Sequence, residues 1–302
     1  MNDLEKNTAR RKKIDGLFAV VGLVATFVGL ITLAALIVDL AIDGLGRLSP
    51  KFFTSFPSRF ASRAGILSAW VGTILVMLVT AFAAVPMGVA AGVYLEEYAR
   101  KNWLTAIIEI NIANLAGVPS IVYGLMALGL FVYQLELGQS VLTAGLTLAL
   151  LILPIVIVAT RESIRAVPGS IREAAYALGA TKWQTVKDHV LPYSTGGILT
   201  GVIIALSRAI GETAPLITIG ALTFIAFLPE SPITSEFPFV SLDWLMSPFT
   251  VMPIQMFNWV SRPQHEFHLN AAAAGLTLMV MTLAMNGIAI YLRYRFRKKI
   301  KW

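Results

Sequence analysis

At 302 residues, with 57% hydrophobic and only 14% charged residues, the chain is too apolar for a soluble globular domain and reads as an all-α, polytopic membrane protein. The net charge of +7 would suit a nucleic acid or an anionic membrane surface, and its distribution along the chain decides between them. With no cysteine, disulfides, thiolate metal sites and cysteine nucleophiles are excluded.

Residues 1 to 16 form a polar tail in which Lys6, Arg10, Arg11, Lys12 and Lys13 precede the first apolar run. That run is about twice the length of a signal-peptide core and lacks a cleavage site, so it is expected to stay as an uncleaved span. A crossing helix needs about 20 mostly apolar residues, and six stretches qualify. They are Leu17 to Val38, Ile66 to Tyr94, Ile107 to Val132, Val141 to Ala159, Tyr193 to Ala221 and Leu269 to Leu292. Residues 17–65 would hold the first span and an outer linker, residues 66–292 a five-span unit, and residues 293–302 a second basic tail. Loops and tails on the side of both termini carry eighteen Lys and Arg, against five on the other side. The positive-inside rule therefore puts both termini in the cytoplasm. The basic residues mark an inner membrane face rather than a nucleic-acid arm.

Within the third span, Asn111 and Asn114 precede Gly117 to Leu125, GVPSIVYGL. Pro119 removes one intrahelical hydrogen bond, so a kink or break is expected there, suited either to lining a pathway or to packing between helices.

A polar island, Ser170 to Pro192, SIREAAYALGATKWQTVKDHVLP, lies between spans four and five. Ser170 and Glu173 have capping-box spacing, which predicts a helix from Ile171 that carries Ala174 and Ala175 and ends before Gly179. Thr181 and Gln184 repeat the spacing and predict a second short helix ending near Val190, because Leu191 precedes a proline. Two helices with a glycine elbow, presenting small side chains, suit docking of another protein.

The fifth span contains SRAIGETAP, which places Arg208 and Glu212 four residues apart and therefore on one helix face. A charge at that depth normally faces a bundle interior or a wet pathway. Both an anion-contacting role and a structural ion pair fit the residues, and Gly211 and Pro215 would let the helix flex or kink beside them. The last outer segment, Thr223 to His268, holds Trp244, Phe249, Phe257 and Trp259. These aromatics suit either the membrane boundary or a surface that meets an external protein. His265 and His268 lack the accompanying ligands of a metal site. No phosphate-cradling P-loop occurs, so the chain is not expected to hydrolyse ATP, and no catalytic set is present.

The run Glu173-Ala174-Ala175, then Gly179, then Leu191-Pro192 resembles the EAA loop of ABC-importer permeases, the segment on which the ATPase docks. His189 stands where that family usually has an aliphatic residue. The five-span unit is similar to the type I ABC-importer transmembrane domain. GVPSIVYGL and ALSRAIGETAPL together resemble phosphate ABC-transporter permeases of the PstA type. That resemblance implies a second permease (PstC type), an ATPase dimer (PstB type) carrying ATP and Mg, and an extracytoplasmic phosphate-binding protein (PstS type). It implies a bacterial inner membrane and no cofactor on this chain. ATP-driven motion at the EAA loop would open the spans alternately to each side. A permease for molybdate or sulfate, or a membrane scaffold or phosphate-sensing partner that transports nothing, are the alternatives.

Overall fold

A computed structural model describes residues 3–231 and 241–299. In lipid the backbone must satisfy its own hydrogen bonds, and helices are the solution this chain adopts. The helices are α1 (Asp3–Gly44), α2 (Pro50–Thr54), α3 (Leu67–Val93), α4 (Trp103–Leu115), α5 (Ser120–Ala127), α6 (Val141–Arg165), α7 (Gly169–Ala177), α8 (Lys182–Thr185), α9 (Leu191–Ala209), α10 (Ala214–Thr218), α11 (Met252–Val260) and α12 (His265–Lys299). Among the described residues, five helical stretches are long and apolar enough to cross a membrane, and a bent pair makes a sixth. The chain is a multi-pass membrane protein with no strand among those residues.

The central packing is α3 against α6 and α6 against α9. Small residues set these distances, as expected where no hydrophobic force drives helices together. A Cβ at Gly88 would sit 2.7 Å from Val156, one at Gly92 would sit 2.6 Å from Thr160, and one at Gly201 would overlap the Ala159 side chain. The core grows from this layer, with Val76, Leu148, Ile152, Ala205 and Leu216 all buried.

Helix α1 stands apart, and every side chain from Leu17 to Val38 is exposed. Among the described residues, only its far end touches the bundle: Gly44 lies so close to α12 that a Cβ would come 2.8 Å from the Ala272 backbone. The segment read as an outer linker is folded onto the bundle. Phe52 is buried beside Trp259, the Arg47 Nε donates to Asn270 Oδ1 at 2.7 Å, and the Trp70 indole donates to the Phe53 carbonyl at 3.0 Å.

The break expected at Pro119 in the third span is present: α4 and α5 meet at 105° across residues 116–119. Two other sequence-based expectations change. The fifth span does not continue to Ala221, because α9 stops at Ala209 and the chain restarts as α10. Helices α8 and α9 are one continuous rod from Lys182 to Ala209, without the expected stop before Pro192. A π-helical turn, Val186–Val190, precedes the proline and absorbs the hydrogen bond that its ring cannot donate, which keeps Leu191 helical at φ −62°.

The aromatics of the last outer segment divide. Phe249 and Trp259 are core residues, while Phe257 is exposed and Trp244 half-buried. They are drawn inward because α11 packs beneath α12 and against α3, with the Met252 amide donating to the buried Thr73 hydroxyl at 2.9 Å. Residues 232–240 of that segment lie outside the described residues.

Gly72 lets the Thr250 carbonyl lie directly on α3, where a Cβ would overlap that oxygen. Gly72→Ala should therefore destabilise the chain by about 1–3 kcal/mol through overpacking. Gly22→Ala, on open helix surface, should not. Thermal unfolding of the two purified variants checks this, with a lower midpoint expected for Gly72→Ala alone.

Candidate functional site

Two breaks in the helical backbone face each other. Pro119 caps α5 at φ −55° and ψ 135°, an extended geometry that turns the chain out of α4. Pro215 lies in the first turn of α10, where its missing amide removes no helical hydrogen bond. Helix α5 packs on α10, and the close approach requires Gly124, since a Cβ there would sit 2.6 Å from the Pro215 Cα. At the elbow, the Tyr123 hydroxyl donates to the Leu115 carbonyl at 2.9 Å, supplying one partner to the open end of α4. The two motifs singled out in spans three and five are thus one structural unit.

Arg208 occupies the last turn of α9, where a cation is favoured by the negative end of the helix dipole. Its Nε lies 3.3 Å from Glu212 Oε1. The two are not on one helical face as the spacing suggested. Glu212 follows the end of α9 and folds back, its amide bonded to the Ala209 carbonyl at 3.2 Å. Arg208 is 41% exposed and Glu212 18%. Among the described residues only Nε of the guanidinium is hydrogen-bonded, to Glu212. Asn111 and Asn114 on α4 are exposed as well.

The polar island builds a second site. Helix α7 begins at Gly169, two residues before the expected start, and Pro168 is its N-cap. The Ser170–Glu173 capping box does not form, because Pro168 already fixes the entry and both side chains point to solvent. The elbow is as expected. Gly179 has φ +84°, and the amides of Gly179 and Ala180 bond back to Tyr176 and Ala175 in a Schellman pattern. Thr181 and Gln184 form a complete capping box at the start of α8. Glu173, Ala174 and Gly179 are exposed, whereas Ala175 is buried against the chain itself. Around the elbow, Leu178 is 90% exposed, Trp183 58% and Tyr176 44%.

Sequence reasoning passed over an ionic network at this end of the bundle. Glu96 and Glu97 lie in a π-helical turn, Tyr94–Tyr98, that ends the α3 span. Arg161 is buried and reaches Glu109 on α4 at 2.7 Å and Glu96 at 3.7 Å. Arg165 meets Glu96 at 3.0 Å, and Arg172 meets Glu97 at 2.7 Å. One signal was available: Glu109 is a carboxylate inside an apolar run, and such a group needs a named partner.

Residues 84–301 match the family of binding-protein-dependent transport system inner membrane components. The chain belongs to that family, and its fold is that of type I ABC-importer permeases. It aligns with the MetNI methionine ABC transporter in an inward-facing form at a TM-score of 0.56 and 15% identity, covering 76% of this chain and 94% of that one. In sequence it is similar to the phosphate transport system permease protein PstA of Yersinia pestis, 33% identical over 99% of this chain and 95% of the relative. It is likewise similar to PstA 1 of Mycobacterium tuberculosis, 33% identical over 79% of this chain and 73% of the relative. The probable ABC transporter permease protein YqgI of Bacillus subtilis is 31% identical over 92% of this chain and 94% of its own length.

The opposite facing of two neighbouring alanines gives a direct check. Ala175→Glu would bury an unpaired carboxylate, at a cost of several kcal/mol, and should sharply reduce the yield of monodisperse protein on size exclusion. Ala174→Glu, on the exposed side, should leave the yield near that of the parent chain.

Proposed function

We propose that this chain is a permease subunit of an ATP-driven phosphate importer and that Arg208 contacts the passing anion. The observation that carries the reading is a guanidinium 41% exposed at the end of a membrane helix in a chain whose outer surface is otherwise largely apolar. A charge at the bilayer centre costs about 3 kcal/mol on insertion scales, so this side chain does not face lipid. A pathway formed jointly with a second permease gives it water and substrate. With Nε held by Glu212, the terminal nitrogens present a planar fork that matches phosphate oxygens. Glu212 limits how long the anion stays, since a carboxylate beside the site repels it while the pair re-forms. The PstA names of the relatives supply the substrate class.

The exposed Leu178, Trp183 and Tyr176, together with Glu173, Ala174 and Gly179, form the surface for an ATPase of the PstB type, which carries ATP and Mg. A PstC-type permease and a PstS-type binding protein complete the assembly. Both termini and the α7–α8 loop then lie in the cytoplasm of a bacterial inner membrane, as the Lys and Arg distribution requires. Nucleotide-driven closure of the ATPase moves this loop, and the spans open alternately to each side.

Proteoliposomes holding the full assembly should take up labelled phosphate with ATP, with sulfate and molybdate competing poorly. Arg208→Gln deletes the charge and keeps most of the volume. Because the pair is partly exposed, membrane level and ATPase recovery should be retained while uptake falls about 10- to 100-fold, the worth of a lost charged hydrogen bond. The double substitution Arg208→Gln with Glu212→Gln should stay equally impaired, and normal uptake in it would reject the anion contact.

A further inference from the structure

Two consecutive carboxylates end the α3 span, and different elements hold them. Glu96 takes Arg161 and Arg165 of α6, whereas Glu97 takes Arg172 of α7 through Nε at 3.0 Å and Nη2 at 2.7 Å. The Glu97 side chain is 7% exposed and that of Arg172 20%, so this is not the solvent-screened kind of pair that contributes little. The same guanidinium donates to the Val167 carbonyl at 2.9 Å and the Ile164 carbonyl at 3.1 Å, at and just beyond the end of α6. Arg172 immediately precedes Glu173, yet it points into the bundle while Glu173 and Ala174 point out. One side chain therefore ties the outward-presenting helix to two spans at once.

We propose that the Arg172–Glu97 pair is the link through which displacement of α7 is carried into the α3 span, with Arg172 as a positioning residue. The role rests on the reading of α7 as the ATPase-docking helix. Otherwise α7 is seated mainly on a small apolar cluster, where Ile171 meets Ile164, Val167 and Val190. Apolar contacts of that kind can slide. A largely desolvated pair resists separation, because parting it strands two charges away from water, so α7 and the end of α3 move together. The neighbouring Glu96 passes the same motion to α6 through Arg161, and Arg161 passes it to α4 through Glu109.

The test uses the full transport assembly in proteoliposomes and the variants Glu97→Gln, Arg172→Gln, Arg172→Lys and the double Gln substitution. Three quantities are read: ATP hydrolysis, phosphate uptake per ATP, and the distance between spin labels at Phe82→Cys on α3 and Leu283→Cys on α12, which lies outside the close-packed α3–α6–α9 layer. Both label positions are exposed, and the chain has no other cysteine. In the parent assembly the label distance should change between nucleotide-free and vanadate-trapped states. In both single Gln variants and in the double, ATPase recovery and hydrolysis should persist. Uptake per ATP should fall about ten-fold or more, on the scale of a typical coupling energy between sites, and the distance change should vanish. Arg172→Lys, which keeps the charge, should recover part of both. The double variant separates coupling from stability, since removing both charges leaves no orphan and restores any lost protein level. Normal uptake per ATP and a normal distance change in the double variant would overturn the proposal. A parent distance indifferent to nucleotide would overturn it as well. A parent assembly that hydrolyses ATP and shows the distance change but moves no phosphate would defeat the substrate reading and leave the link supported.

Discussion

A bilayer offers a peptide group no hydrogen-bond partner, and that constraint shapes both what is regular in this chain and what is not. Each place where a helix stops inside the apolar layer must be covered by protein or water. The two interior breaks, at residues 116–119 and 210–213, meet this requirement together, because α5 lies on α10 and Tyr123 supplies a donor to the Leu115 carbonyl. Gly124 is indispensable to that junction, since its missing side chain lets backbone lie on backbone at Pro215. Placing Arg208 at the same junction is economical in physical terms. The end of α9 supplies a negative dipole for the cation.

How much was legible in the sequence depended on whether a local rule or a tertiary contact decided the outcome. The apolar runs, the positive φ of Gly179 and the Thr181–Gln184 capping box are local, and they read directly. The end of α9 was not legible. Gly211 signalled only a weakened helix, and the choice between bending and stopping was made by α5 packing across the gap. Pro192 misled for the opposite reason: a π-helical turn of five residues ahead of it let the helix run through a proline that ordinarily closes one. Ser170 and Glu173 had the right spacing for a cap, but Pro168 had already set the helix entry.

The ionic network was hidden by a different cause. Counting Lys and Arg along the chain assigns sides of a membrane, and in that count Arg161, Arg165 and Arg172 are loop cations. In the structure they are matched to Glu96, Glu97 and Glu109, which belong to two other elements separated from them by 50 to 75 residues. Topological charge and structural charge are the same residues here. The pairing reveals itself in sequence only through Glu109, a carboxylate that apolar neighbours could not otherwise accommodate.

The distribution of packing chemistry also separates what moves from what stays. Where α3, α6 and α9 cross, contact runs through Gly88, Gly92 and Gly201 against Val156, Thr160 and Ala159, at distances that admit no additional atom. Such a layer transmits displacement as a unit rather than deforming, because dense packing resists compression. The α7–α8 elbow is the reverse, with Leu178, Trp183 and Tyr176 projecting outward and little beneath α7 beyond Ala175 and Ile171. A stiff bundle joined to a lightly seated helix would normally lose motion at the seam. The charged contacts of Arg172 sit at that seam, where directional bonds take the place of small-residue packing.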